Sequence, residues 1–420
     1  MPFRIALSGL NAAQTDLSAT ANNIANSSTA GFKRSRTEFS DVFAVSFEGL
    51  SNIATGNGVG IAAVSQNFSQ GNIDFTDRSL DLAISGQGFM VVRDSQGEAY
   101  TRAGAFHVDR SGNVVNQNSQ KLQVFDAVTG GGFNTGSPVD LVLATTEGAP
   151  AATSTVDVNV NLSSAAIAPV TAFSTTDATS YNNSTSTVIY DSLGGSHTAT
   201  MYYRKTAANT WETYLYINGT QITKDTDGDN ALTGTDTPPD TVFETLVFDS
   251  AGAVLTPAGG LIDYANFDPL SGAAQINIAM SYANASQFGS PFAVNGLSQN
   301  GFTTGRLSGI DIDDEGVVFA RYTNGQSSPL GKVALANFAN VGGLRQLGDT
   351  VWAQSFEAGD RLLGEAGTSS FGFLQSGGLE SSNVDIAASL VNLITAQRNF
   401  QANAQVISAA DTITQTIINI

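Results

Sequence analysis

The densest set of groups that could do chemistry is an acidic run, Asp225-Thr226-Asp227-Gly228-Asp229-Asn230, continuing to Asp236. Its acids fall at positions 1, 3, 5 and 12 of a twelve-residue loop. Carboxylates at alternate positions can converge their oxygens on a hard cation such as Ca²⁺. Asp225, Asp227, Asp229 and Asp236 are therefore weak candidate calcium ligands. The pattern is incomplete, because Asn230 stands where such loops use Gly, Asp236 is shorter than Glu, and no flanking helical pattern is present. A solvated acidic turn accounts for the same residues, and no cofactor is expected.

Other constellations point away from catalysis. The two histidines, His107 and His197, lie in different β-patterned segments, so a histidine triad or two-histidine metal site lacks members. Gly56-Asn57-Gly58-Val59-Gly60 has no β-α-β context for a dinucleotide fingerprint, and neither a phosphate loop nor a G-x-S-x-G elbow occurs. Asp313-Asp314-Glu315-Gly316 reads as a hairpin turn. The chain is not expected to be an enzyme.

Composition narrows the partners. Only 13% of the 420 residues are charged, yet the net charge is −19. That acidity opposes nucleic acid and anionic membrane surfaces. No apolar run approaches a membrane span, and cysteine is absent. The opening stretch is broken by Ser8, Gly9 and Asn11, unlike a cleaved secretory signal.

The elements that organise the chain are its two ends. From Ser382 onward, Ile386, Leu390, Leu393, Gln397, Phe400, Ala404, Ile407, Ala410, Ile413, Ile417 and Ile420 recur at helical spacing. Ser382 and Asp385 read as a capping box. At the other end Phe3, Leu7, Leu10, Gln14, Leu17, Ala21 and Ile24 step by four and three, a heptad seam with Gln14 as its polar interruption. The five large apolar side chains of that seam are worth roughly 8–15 kcal/mol if buried. Backbone ordering costs on the order of 1–2 kcal/mol per residue. Neither end folds alone, and the C-terminal stripe, from the same molecule or a neighbour, is the obvious partner. The stripe alone also describes an ordinary bundle helix.

The segment after the first helix is more specific. Asn22-Asn23-Ile24-Ala25-Asn26-Ser27-Ser28-Thr29-Ala30-Gly31-Phe32-Lys33 resembles the NNIANxxTxGFK signature of the bacterial flagellar rod and hook family. Ser382-Asn383-Val384-Asp385-Ile386 and Ala396-Gln397-Arg398-Asn399-Phe400-Gln401-Ala402-Asn403 are similar to its SNVDL and AQRxYQAN motifs, with Phe400 in place of Tyr. Gly86-Gln87-Gly88-Phe89 and Tyr100-Thr101-Arg102-Ala103-Gly104-Ala105-Phe106 resemble the family's shared β core.

The expected fold is α+β and mostly β, nested from the ends inward. Residues 1–33 and 382–420 would form a terminal helical polymerisation domain with paired coiled-coil-like helices, and 34–72 a connector. Residues 73–149 plus 288–381 would form an inner β domain built from two chain segments, and 150–287 an inserted outer β-sandwich or barrel. That large insert points to the hook branch of the family, since rod members are generally shorter.

The resemblance implies a structural subunit of a curved, flexible tube that acts as a universal joint between motor rod and filament. It implies a helical homopolymer, with a cap, the rod, hook–filament junction proteins and the flagellar export apparatus as partners. Membrane insertion and nucleic acid are not implied, and export would proceed without a cleaved signal to an extracellular site. Its assembly interface would comprise Phe3, Leu7, Leu10, Leu17, Asn22, Asn23, Ile24, Asn26, Gly31 and Phe32 at one end. At the other it would comprise Ile386, Leu390, Leu393, Gln397, Phe400, Ile407, Ile413 and Ile417. A distal-rod type of the same family, and a secreted β-rich adhesin or carbohydrate-active protein, are the alternative readings.

Overall fold

The computed structural model describes residues 2–42, 56–128, 131–143, 148–224, 241–368 and 370–418. The candidate calcium loop, Asp225 to Asp236, lies outside the described residues, as do Ile420 and the side chain of Ile417. The chain begins on helix α1 (Pro2–Ala25) and closes on helix α2 (Ile386–Ile418). Between them the regular elements among the described residues are strands and two short 3₁₀ turns, joined by loops. Contacts divide the chain into two units, residues 1–145, 308–321 and 327–420, and residues 146–307 with 322–326.

In the first unit both chain segments build one antiparallel sheet. Strand Ser327–Phe338 pairs with Lys121–Asp126 and with Phe89–Asp94, placing Val333 opposite Val124 and Leu335 opposite Met90. Strand Val351–Ala353 likewise pairs with Gly97–Thr101. Successive residues of a strand point to opposite faces. Here both faces are apolar: Met90, Val92, Val333 and Leu335 enter one core, while Phe89, Val91, Ala334 and Ala336 enter another with Tyr100 and Trp352. Burial on both faces is why Phe89-Met90-Val91-Val92 is a continuous apolar run rather than an alternating one. The Asp313–Gly316 segment is the hairpin turn expected, with the Asp313 carboxylate accepting from the Glu315 and Val317 amides.

The second unit is a two-sheet β structure. One sheet orders Leu261–Phe267, Ile276–Ser281, Thr155–Asn161 and Ala293–Gln299. The other runs from Asn183–Tyr190 through Ser196–Ala207, Thr210–Ile217 and Glu244–Phe248 to Val254–Thr256. Their alternating inward residues, among them Val156, Val158, Met201, Tyr203, Trp211 and Ile278, share one core. The return to the inner β domain comes later than the expected residue 288. Ala293–Gln299 hydrogen-bonds along Thr155–Asn161, and leaving it out would strip one edge of that sheet.

Trp211 and Trp352, the chain's two tryptophans, lie in different cores. Substituting Ile278→Ala in single-tryptophan variants is expected to cost about 2–5 kcal/mol in the unfolding transition reported by Trp211. The transition reported by Trp352 should hold its midpoint in denaturant-monitored fluorescence.

Candidate assembly interface

α1 and α2 pack against each other. Gly9 meets Asn403, and a Cβ at Gly9 would stand 2.7 Å from the Asn403 amide oxygen. Asp16, Thr20 and Asn23 share a cleft with Ser389, Asn392 and Thr395. Residue numbers thus rise along one helix as they fall along the other, so the pair is antiparallel. On α1 the residues taken out of water are Ala6, Ala12, Ala13, Thr20 and Asn23, with Asp16 half-buried. On α2 they are Ala396, with Ser389, Leu393, Phe400, Asn403, Ile407 and Ala410 half-buried at steps of three and four. Small side chains on α1 let the larger ones of α2 approach closely. Burial pushes the Asp16 carboxyl above the usual carboxylate range.

This arrangement corrects the expected seam. Phe3 is 51% exposed and Leu7 42%, while Leu10, Leu17 and Ile24 are half-buried. Gln14 and Gln397 are both exposed, so neither interrupts the contact between the helices. The C-terminal stripe is split. Leu393, Phe400 and Ile407 contribute to the buried side, whereas Ile386, Leu390 (47% exposed) and Ile413 (60%) face out, joined by Val391 and Ile394. Phe3 and Leu7, the first two large residues of the α1 heptad, are thus left open, and Gly9 of the small-residue line beside them meets α2. The other flank of α1 lies on the hairpin Ser35–Asp41 and Val59–Gln66, where Ser8 Oγ accepts from the Val59 amide.

The signature segments meet at the root of the helix pair. Asn23 closes a two-bond ring with the backbone of Ser35, donating at 2.7 Å and accepting at 2.8 Å. Asn26 donates to Asn22, ending α1 locally. Gly31 has φ +69°, and a Cβ there would fall 2.5 Å from the Ala103 nitrogen, so only glycine fits. That turn buries Phe32 and delivers Lys33 to a closed site. The Lys33 ammonium donates to Glu380 Oε1 at 2.6 Å and to the Ser69 carbonyl. Arg102 donates to Glu380 Oε2 and to the Gly86 carbonyl. The Gly71 amide completes the carboxylate's shell. Lys33 and Glu380 side chains are both 0% exposed. Burial pushes the Lys33 ammonium below the ordinary lysine range; Glu380 opposes that shift, and the Arg102 charge adds to it.

Beside this joint, Asn383 accepts from the Arg34 amide and donates to the carbonyls of Asn67 and Ser69. Holding Asn383 there keeps residues 381–385 out of the helix. The expected Ser382 capping box is therefore replaced: Asp385 is the cap, its carboxylate accepting from the Ala388 amide at 3.1 Å. Sequence reasoning misses Lys33, Arg102 and Glu380 as site residues. The placement of Lys33 and Arg102 inside family motifs is the available signal; Glu380 carries none. His197 bonds Asp191 at 3.0 Å and Asn218 at 2.8 Å, and His107 is exposed on its strand.

Four family models match the chain. They are the flagella basal body rod protein at residues 3–33, the flagellar hook protein FlgE/F/G D1 domain at 83–168, the flagellar basal body protein FlaE D2 domain at 159–302, and the flagellar basal body rod FlgEFG protein C-terminal at 375–420. The flagellar hook protein FlgE of Escherichia coli is 38% identical over 427 residues, covering 100% of both chains. The chain belongs to the flagellar hook protein family. The hook protein FlgE of Rhizobium meliloti is 35% identical, covering 100% of this chain and 98% of its own. The crystal structure of the Helicobacter pylori hook protein FlgE2 shares the fold at TM-score 0.50 and 15% identity, over 73% of this chain and 100% of that one. The two terminal family models bracket the helix pair and its joint, so in this hook family member the family motifs coincide with the buried charge cluster.

Removing Glu380 would strand two buried cations. Glu380→Ala is expected to destabilise the first unit by about 3–5 kcal/mol, read by denaturant unfolding followed at Trp352. Lys33→Met should cost less, because Arg102 still neutralises the carboxylate.

Proposed function

We propose that this chain is a structural subunit of the bacterial flagellar hook, polymerising into a curved, flexible tube that carries torque from rod to filament. The observation that carries this reading is the helix pair. α1 and α2 satisfy each other through small and half-buried residues, yet leave Phe3, Leu7, Ile386, Leu390, Val391, Ile394 and Ile413 exposed. Apolar surface of that extent on paired helices calls for further protein. Copies of the same helix pair supply it without a new partner. Full-length similarity to hook proteins supports the same reading.

The proposed working parts follow the chain's nesting. Residues 1–33 and 382–420 form the polymerising end and 34–72 the connector. The two-segment inner β domain and the inserted β domain make the remaining contacts between neighbours. Polar, weakly charged surfaces can exchange near-equivalent contacts as the tube bends, which deep apolar interlocking would resist. We also propose export, assembly outside the cell, and contacts with cap, rod and junction proteins. Asn22, Asn23, Asn26, Gly31 and Phe32 shape the root of the helices. Phe3, Leu7, Leu10, Leu17 and Leu390 supply intermolecular contact.

Leu7→Asp and Leu390→Asp each alter a side chain exposed in the single chain. Each variant is expected to keep wild-type circular dichroism and unfolding midpoint while losing tubes in negative-stain electron microscopy. Tubes of normal yield from either variant would remove the proposed interface.

A further inference from the structure

The helix pair carries few charges, and they fall in a pattern. α1 holds Arg4 and Asp16; α2 holds Arg398 and Asp411. Each helix thus has one base and one acid. Among the described residues, the side chains of Arg4, Asp16 and Arg398 have no hydrogen bond or ion pair. Asp411 accepts only from Gln415, one turn away on its own helix. Arg34 and Arg36 line the cleft that holds Asp16 without pairing to it, and Arg36 is engaged by Glu38.

The register between the helices places these charges in two levels. With Gly9 against Asn403 in an antiparallel pair, Asp16 falls level with Ala396 and Arg4 with Ser408. At about 1.5 Å per residue, Asp16 and Arg398 lie within about 3 Å of one axial level, and Arg4 and Asp411 within about 5 Å of another. Arg4, Arg398 and Asp411 are exposed, and Arg398 stands on the side of α2 away from its contact with α1. Opposite charges therefore share a level, and neither pair is formed within the described molecule.

We propose that Asp16 and Arg4 of one copy form ion pairs with Arg398 and Asp411 of a laterally adjacent copy, and that this two-rung charge ladder sets the axial register between neighbouring helix pairs. The inference rests on the polymerisation proposed above. Apolar side chains such as Leu7, Leu390 and Ile394 tolerate more than one packed register. Charges do not, because a shifted neighbour brings like charges together or leaves Asp16 partly desolvated without a partner. A sparse polar feature on an otherwise apolar seam fixes register in coiled coils by the same logic. Burial already raises the Asp16 carboxyl, so a neighbouring guanidinium has a desolvated partner to satisfy.

The test is a charge swap in the full-length chain, with the critical concentration for assembly measured by sedimentation. D16R and R398D should each raise it about tenfold or more. The double variant D16R/R398D should return close to the wild-type value, and an equimolar mixture of the two single variants should co-assemble. Because Asp16 is half-buried, the exposed pair R4D and D411R, with their double variant, supplies a second swap. Single variants that are folded yet assemble like wild type, or double variants no better than the singles, overturn the ladder. Failure of the wild-type chain itself to polymerise would overturn the polymerisation reading, and the ladder with it.

Discussion

A fully buried carboxylate, Glu380, holds together parts of the chain that are far apart in sequence. It binds Lys33 just after α1, Arg102 at the end of a sheet strand, and the Gly71 amide before the first β segment of the inner domain. Two cations around one acid leave the site with excess positive charge, which the Ser69 and Gly86 carbonyls offset by accepting hydrogen bonds. Such a cluster contributes less to stability than its Coulomb energy suggests, since desolvation opposes it. What it supplies is geometry. Any displacement of the helix root breaks several charge-assisted bonds at once, so the pair leaves the β unit at a defined place.

From that root the helices divide their surfaces by side-chain size. Gly9, on a line with the buried Ala6 and Ala13, admits Asn403 of α2 at close range. Among the described residues Phe3, Leu7, Ile386, Leu390, Val391, Ile394 and Ile413 stay exposed on the remaining sides, while Leu10, Leu17, Leu393, Phe400 and Ile407 are half-buried. A monomeric bundle would distribute them the other way, with large residues inward. The proposed polymer makes use of this distribution: the exposed hydrophobic area is the surface offered to further copies.

Much of this is legible in the sequence. Helical spacing marks both helices, and turn chemistry marks the hairpin at Asp313–Gly316. Nesting can be read from β patterns on both sides of the insert. The face of α1 cannot be read, because hydrophobic periodicity marks what must be buried eventually and not what buries it. Phe3 and Leu7 satisfy the heptad and still face out. Glu380 is invisible for a different reason. An isolated acid before a helix has no periodic signal, and its partners lie 278 and 347 residues away. The capping box at Ser382 fails because tertiary bonds to Asn383 override a local motif.

On this proposal the helix faces left open by the described residues are covered by other copies of the chain. Hydroxyl-radical footprinting of monomer and assembled material, quantified by mass spectrometry, measures that directly. Phe3, Leu7 and Leu390 should be reactive in the monomer and strongly protected on assembly, while buried Phe106 stays unreactive in both states. Unchanged reactivity of Phe3, Leu7 and Leu390 in polymers would contradict the account.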